Sequence, residues 1–92
     1  MSVLQCDEAL VILQEECAEV IQVISKMHRF GLRGYNPITA EYNDQVLNKE
    51  IGDLLCMIDI CMKQNILNEA DLEFYKDQKR DKLIQWSNVY AS

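Results

Sequence analysis

The sequence predicts an all-α fold, a small bundle of about three main helices completed by oligomerisation. Three observations carry that expectation. Apolar residues recur at helical spacing along extended segments, strand-type alternation is absent, and the chain contains a single proline. The hydrophobic fraction, 49% of 92 residues, exceeds what three helices hide in one copy, so a homodimer or homotetramer is expected to bury the remainder.

The first helix is expected from Val3 to about Arg29, with Leu10, Leu13, Cys17, Val20, Ile21, Ile24 and Met27 forming a stripe of 3.6-residue period. Gly31, Gly34, Asn36 and Pro37 then cluster into a loop. Thr39 is read as the N-cap of a second helix running to about Gln64. A short turn, Asn65 to Asn68, follows. Asn68 caps a third helix, with Glu69 and Asp71 favouring its first turn and Trp86 near its end. One domain covers residues 1–92, without linker, internal repeat or low-complexity tract.

Charge and cysteine usage narrow the functional class. A net charge of −6 argues against a nucleic-acid partner, because phosphate backbones select clustered Lys and Arg. An acidic chain still binds a phosphorylated small molecule when metal ions supply the positive charge. Cys6, Cys17, Cys56 and Cys61 form no CxxC pair and His28 is the single histidine, which disfavours a zinc knuckle; reduced core thiols are expected. Met1 is followed by mixed polar sequence, and no apolar run approaches the roughly 20 residues of a membrane span. A soluble, cytoplasmic protein without a membrane partner is the expectation.

The informative residues are acidic. At about 100° per residue, Glu16 and Glu19 lie about 60° apart on the first helix, beside Ile12 and Val23 and bordering the apolar stripe. Glu15 points further out. On the second helix, Val46, Leu47, Ile51, Leu54, Met57, Ile58, Ile60 and Cys61 define an apolar arc, and Glu50 and Asp53 fall inside it. Gln45, Lys49, Asp59 and Lys63 take the other side. Acids on a buried-facing stripe must be protonated, paired with Lys or Arg, or bound to metal. Few basic residues face inward, and carboxylate oxygens are the ligands Mg²⁺ prefers, so Glu16, Glu19, Glu50 and Asp53 are expected to converge on Mg²⁺, with Mn²⁺ as a substitute. Neither pair carries the histidine of an ExxH di-iron site.

Glu15-Glu16-Cys17-Ala18-Glu19, followed by Glu50-Ile51-Gly52-Asp53-Leu54-Leu55, resembles the EExxE…ExxD signature of the all-α nucleoside triphosphate pyrophosphohydrolases. That superfamily includes MazG, the dimeric dUTPases and phosphoribosyl-ATP pyrophosphatase. Ser25 to Gly31, with Tyr35-Asn36-Pro37 after it, is similar to the small MazG-like proteins often found in phages. The resemblance spans roughly Leu10 to Ile60. It implies Mg²⁺ on Glu16, Glu19, Glu50 and Asp53, with Glu15 as a further ligand or the group orienting the attacking water. It also implies hydrolysis of a (d)NTP between its α- and β-phosphates to a nucleoside monophosphate and pyrophosphate. Lys26, Arg29 and Arg33 would help hold phosphates, as would the third helix with Lys76, Lys79, Arg80 and Lys82; Lys79 and Arg80 are preferred as a pair. Tyr75 and Trp86 are read as core or interface before base-stacking groups. The gap between Glu19 and Glu50 is long for the family, so base-contacting residues do not transfer. Phosphoribosyl-ATP pyrophosphatase or dUTPase specificity is the nearest alternative. A non-catalytic helical oligomerisation module, its acids paired with Lys or Arg, is the alternative of a different class.

Overall fold

A computed structural model describes residues 2–91. Three helices dominate it: α1 (Val3–Phe30), α2 (Asn43–Lys63) and α3 (Glu69–Trp86), with two-residue strands β1 (Tyr35–Asn36) and β2 (Glu41–Tyr42) between the first two helices. The all-α expectation holds.

Each boundary has a local cause. Ser2 and Gln5 form a reciprocal capping box: the Ser2 hydroxyl accepts from the Gln5 amide at 3.1 Å, and the Gln5 side chain accepts from the Ser2 amide at 2.9 Å. Gly31 ends α1 at φ +94, a left-handed conformation that disfavours any side chain, while its N–H still bonds the Met27 carbonyl. Asn68 caps α3 by accepting from the Asp71 amide at 3.0 Å, as its sequence position indicates.

The start of α2 differs from expectation. Thr39 lies in the turn of a small antiparallel hairpin, which pairs Tyr35 with Tyr42 and Asn36 with Glu41, and the helix begins four residues later. Ala40 sits at φ +58, outside right-handed helical space, so a helix cannot run through it. The Asn36 side chain accepts from the Ile38 amide at 2.9 Å and its carbonyl accepts from the Ala40 amide at 2.8 Å, which closes the turn. The Tyr35 and Tyr42 rings pack at 4.9 Å. Two-residue strands are too short for the alternation that marks a strand in sequence.

Helices α1 and α2 are antiparallel. Val23 lines a cavity with Asn43 and Val46, Glu16 approaches Glu50 and Asp53, and Ala9 clusters with Met57 and Cys61, so one number falls as the other rises. The buried apolar set is small, comprising Ala9, Val23, Met57 and Cys61. Ile12, Leu13, Ile60, Ile66 and Leu67 pack partly against it. All four cysteines are free, but only Cys61 is a core thiol; Cys17 and Cys56 are exposed. No residue of α3 is buried, and Tyr75 and Trp86 are exposed rather than core.

Candidate metal centre

The seam between α1 and α2 is built from Ala9, Ile12, Leu13, Glu16, Val20, Val23 and Met27 on one side. Asn43, Val46, Glu50, Met57 and Cys61 form the other. Their spacings of three and four residues keep each set on one face. Glu16 therefore lies within the buried seam of α1, closer to the centre than its sequence position beside the Leu10, Cys17, Ile21 and Ile24 stripe indicates. Those four residues are exposed and form a second apolar face of α1, which the single chain leaves uncovered. Glu50 is buried to 9% exposure. Asp53, read from its arc as inward-facing, keeps 47% of its side chain exposed. Burial thus singles out Glu16 and Glu50, one from each helix.

One carboxylate oxygen from each of Glu16, Glu50 and Asp53 lies within 4.8 Å of the other two. Glu19, one helical turn beyond Glu16, is exposed but reaches Glu50. Hydrogen bonding to the Glu50 carboxyl, with repulsion from Glu50 and Glu16, holds the Glu19 pKa above its ordinary 4.5. The same bond, aided by Lys49, holds Glu50 below its ordinary 4.5 against the opposing effect of burial. Of the four carboxylates expected to converge, Glu16, Glu50 and Asp53 form the cluster, and Glu19 stands beside it, exposed. Glu15 is exposed and stands outside the group of three.

Lys49 is what helical position alone missed. Its Nζ lies 3.3 Å from a Glu50 oxygen and 3.4 Å from an Asp53 oxygen. These contacts raise the Lys49 pKa, hydrogen bonding to Glu50 being the leading cause. Its α-carbon belongs to the outer side of α2, but four methylenes carry the ammonium round to residues i+1 and i+4. Part of the acidic charge is therefore compensated within the helix.

The compensation is incomplete. The second oxygens of Glu16 and Glu50, both Oε2, are buried without a hydrogen-bond partner. Buried carboxylate oxygens without donors are costly, and here two face the same seam from opposite helices. Glu16, Glu50 and Asp53 could together hold a hard divalent cation: their donors are anionic oxygens presented from two helices, with Asp53 at the solvent edge.

The basic residues divide by location. Lys26 lines the groove that runs along α1 towards β1. Arg29 stacks over the Phe30 ring at 5.3 Å. Lys79 lines a groove between α3 and the second half of α2, and Arg80 pairs with Asp77 on its own helix. Arg33 pairs with Asp44, and Lys76 with Glu73. Within one chain Lys26 lines the hairpin cavities beside Val23 and Asn43, whereas Lys79 and Arg80 stand on an element that packs little against α1 or α2.

No protein-family model, curated protein or solved structure matches this chain.

Proposed function

We propose that this chain is an Mg²⁺-dependent nucleoside triphosphate pyrophosphohydrolase, acting on a (d)NTP between its α- and β-phosphates. One observation carries the metal part of the reading: the buried, donorless Oε2 atoms of Glu16 and Glu50, beside an Asp53 oxygen in the same cluster. The resemblance of Glu15–Glu19 and Glu50–Asp53 to the EExxE…ExxD signature supports the reaction. Mn²⁺ would satisfy the same oxygen donors.

Glu16, Glu50 and Asp53 would hold the cation, with Glu19, one helical turn from Glu16, as a further ligand. Bound there, the metal would neutralise triphosphate charge and lower the pKa of a water nucleophile. Glu15, exposed next to Glu16, would accept a proton or orient water. Lys49 is the counter-ion that two of the ligands hold in the metal-free chain, and its exposed stem lets it swing aside. Lys26, two turns along α1 from Glu19, would meet phosphate oxygens. Lys79 and Arg80 would act there only from a second copy, which also fits the uncovered apolar faces.

The second reading, a helical oligomerisation module without catalysis, also has an observation in its favour: Lys49 already pairs with Glu50 and Asp53. Thermal melting separates the two. In EDTA followed by excess Mg²⁺ or Mn²⁺, a site filled at 100 times its Kd adds about 2.7 kcal/mol. That raises the melting temperature by on the order of 10 °C for a domain this size. Glu50→Gln should abolish the metal-dependent rise, and pyrophosphate release from a dNTP panel should fall in Glu50→Gln and Asp53→Asn. No metal-dependent rise in the wild type, with no pyrophosphate released from any nucleotide, leaves the module reading standing.

A further inference from the structure

A cavity of about 260 Å³ opens where the end of α1 meets the β-hairpin and the start of α2. Phe30, Tyr35 and Pro37 give it planar, apolar walls, and Asn36, Asn43 and Lys26 give it polar ones. Arg29 braces the Phe30 ring and Tyr42 braces the Tyr35 ring, and neither brace lines the cavity. Gly34 forms the back, where a Cβ would stand 2.5 Å from the Phe30 carbonyl oxygen and 2.9 Å from the Asn43 side chain.

The polar groups are partly committed, which defines what they still offer. Asn43 is only 8% exposed, and its Nδ2 donates to the Gly31 carbonyl at 3.2 Å, so its remaining acceptor is Oδ1. Asn36 accepts from the Ile38 amide through Oδ1, so its Nδ2 hydrogens remain to donate. A planar ring between aromatic walls, with a donor and an acceptor on its edge, satisfies both amides. Those are the features of a nucleobase.

Position adds a second, independent argument. A smaller cavity of about 80 Å³ shares Lys26, Asn36 and Asn43 with the first and extends to Val23 and Val46. Val23 stands one helical turn from Glu19, and Val46 one turn from Glu50. Lys26 and Asn43 stand two turns from the same two acids, about 10.5 Å along each helix. The two cavities thus run from the hairpin past Lys26, with Glu41 also on the wall of the smaller one, to Val23 and Val46, one helical turn short of the carboxylates. The sugar and first phosphate of a nucleotide bridge a span of that order.

We infer that the cavity walled by Phe30, Tyr35, Asn36 and Asn43 is the nucleobase subsite of this chain, with the phosphates running past Lys26 towards Glu16 and Glu50. The inference rests on the metal and triphosphate reading above. It makes the hairpin, rather than α3, the element that holds the base.

Calorimetric titration with Mg²⁺ present tests it, using an α,β-methylene deoxynucleoside triphosphate and, separately, inorganic tripolyphosphate. The wild type should bind the nucleotide analogue at least about 10-fold more tightly than tripolyphosphate, the value of one base–aromatic stack. Tyr35→Ala and Phe30→Ala should each weaken nucleotide binding by on the order of 10-fold and leave tripolyphosphate binding unchanged, while Tyr35→Phe keeps wild-type affinity. Both rings are more than half exposed, so truncation spares the fold, and circular dichroism verifies it. Equal wild-type affinity for the two ligands overturns the base subsite and leaves the metal–phosphate reading intact. So does loss of both ligands together in the alanine variants. Binding of neither ligand by the wild type overturns both readings.

Discussion

Glu19 and Glu50 show how one hydrogen bond moves two acids in opposite directions. Glu19 is held above its ordinary 4.5, so the folded chain keeps that proton more tightly than the unfolded chain does. Its contribution to stability is complete below pH 4.5 and is lost as pH rises through the raised value. Glu50 is held below its ordinary 4.5, and its contribution is present above 4.5 and lost as pH falls through the lowered value. In EDTA the metal-free chain should therefore lose the Glu19 contribution as pH rises above 4.5. Glu19→Gln keeps a neutral hydrogen-bonding group and should lose that descending limb. Excess Mg²⁺ should restore stability at neutral pH, because the cation offsets the repulsion among the carboxylates. Melting curves across pH 4–8 measure this, and identical profiles for wild type and variant in EDTA would refute it. Glu50 was legible in the sequence because it interrupts an apolar arc. Asp53 lies in the same arc yet half its side chain meets solvent, and the centrality of Glu16 was hidden because the more apolar stripe of α1 is not the one that packs on α2.

The connection between α1 and α2 is decided by backbone geometry. The Asn43 amide donates to the Gly34 carbonyl at 2.8 Å and its side chain donates to Gly31, so one residue ties the start of α2 to the end of α1. Gly34 can approach only because it lacks a Cβ. Gly34→Ala should destabilise the chain by about 1–3 kcal/mol, the usual cost of forcing extra volume into a filled space. A thermal melt reads this directly, and an unchanged midpoint would show that the backbone yields without strain. Helix type and most helix ends were legible from period and caps: Asn68 was found as a cap, and α3 begins immediately after it. Thr39 was not the cap of α2, because a positive φ at Ala40 leaves no trace in a residue type that normally favours helix. The hairpin that follows from it creates the aromatic cavity, which periodicity could not foreshadow.

The molecule as a whole is flat, 43 × 38 × 14 Å, little thicker than one layer of helices. Its radius of gyration is 16.3 Å, against about 12 Å for a compact chain of this length. Its accessible surface is 7389 Å², about 1,900 Å² more than a compact monomer of 10.7 kDa exposes. Leu10, Ile21 and Ile24 on α1, with Phe74, Ile84 and Trp86 on α3, supply apolar surface to that excess. An excess of that size per copy matches the area an obligate homodimer buries. Sedimentation at micromolar concentration should therefore show a dimer or tetramer, and Ile21→Glu, at a position 67% exposed in the single chain, should shift it towards smaller species. A monomer throughout that range would refute the expectation. Among the described residues, no helix is long and apolar enough to cross a membrane.

The residues alone determined the helical class, the identity of the acidic residues and the surplus of apolar surface, because each follows from local spacing and composition. Which acids are buried depended on which of two apolar faces of α1 packs on α2, a choice made between helices. Only the tertiary structure could make it. The same packing left Oε2 of Glu16 and Glu50 without donors, brought Lys49 across to Glu50 and Asp53, and set the aromatic cavity two turns away along both helices. Period and propensity act within an element, whereas desolvation and charge proximity arise only where elements meet.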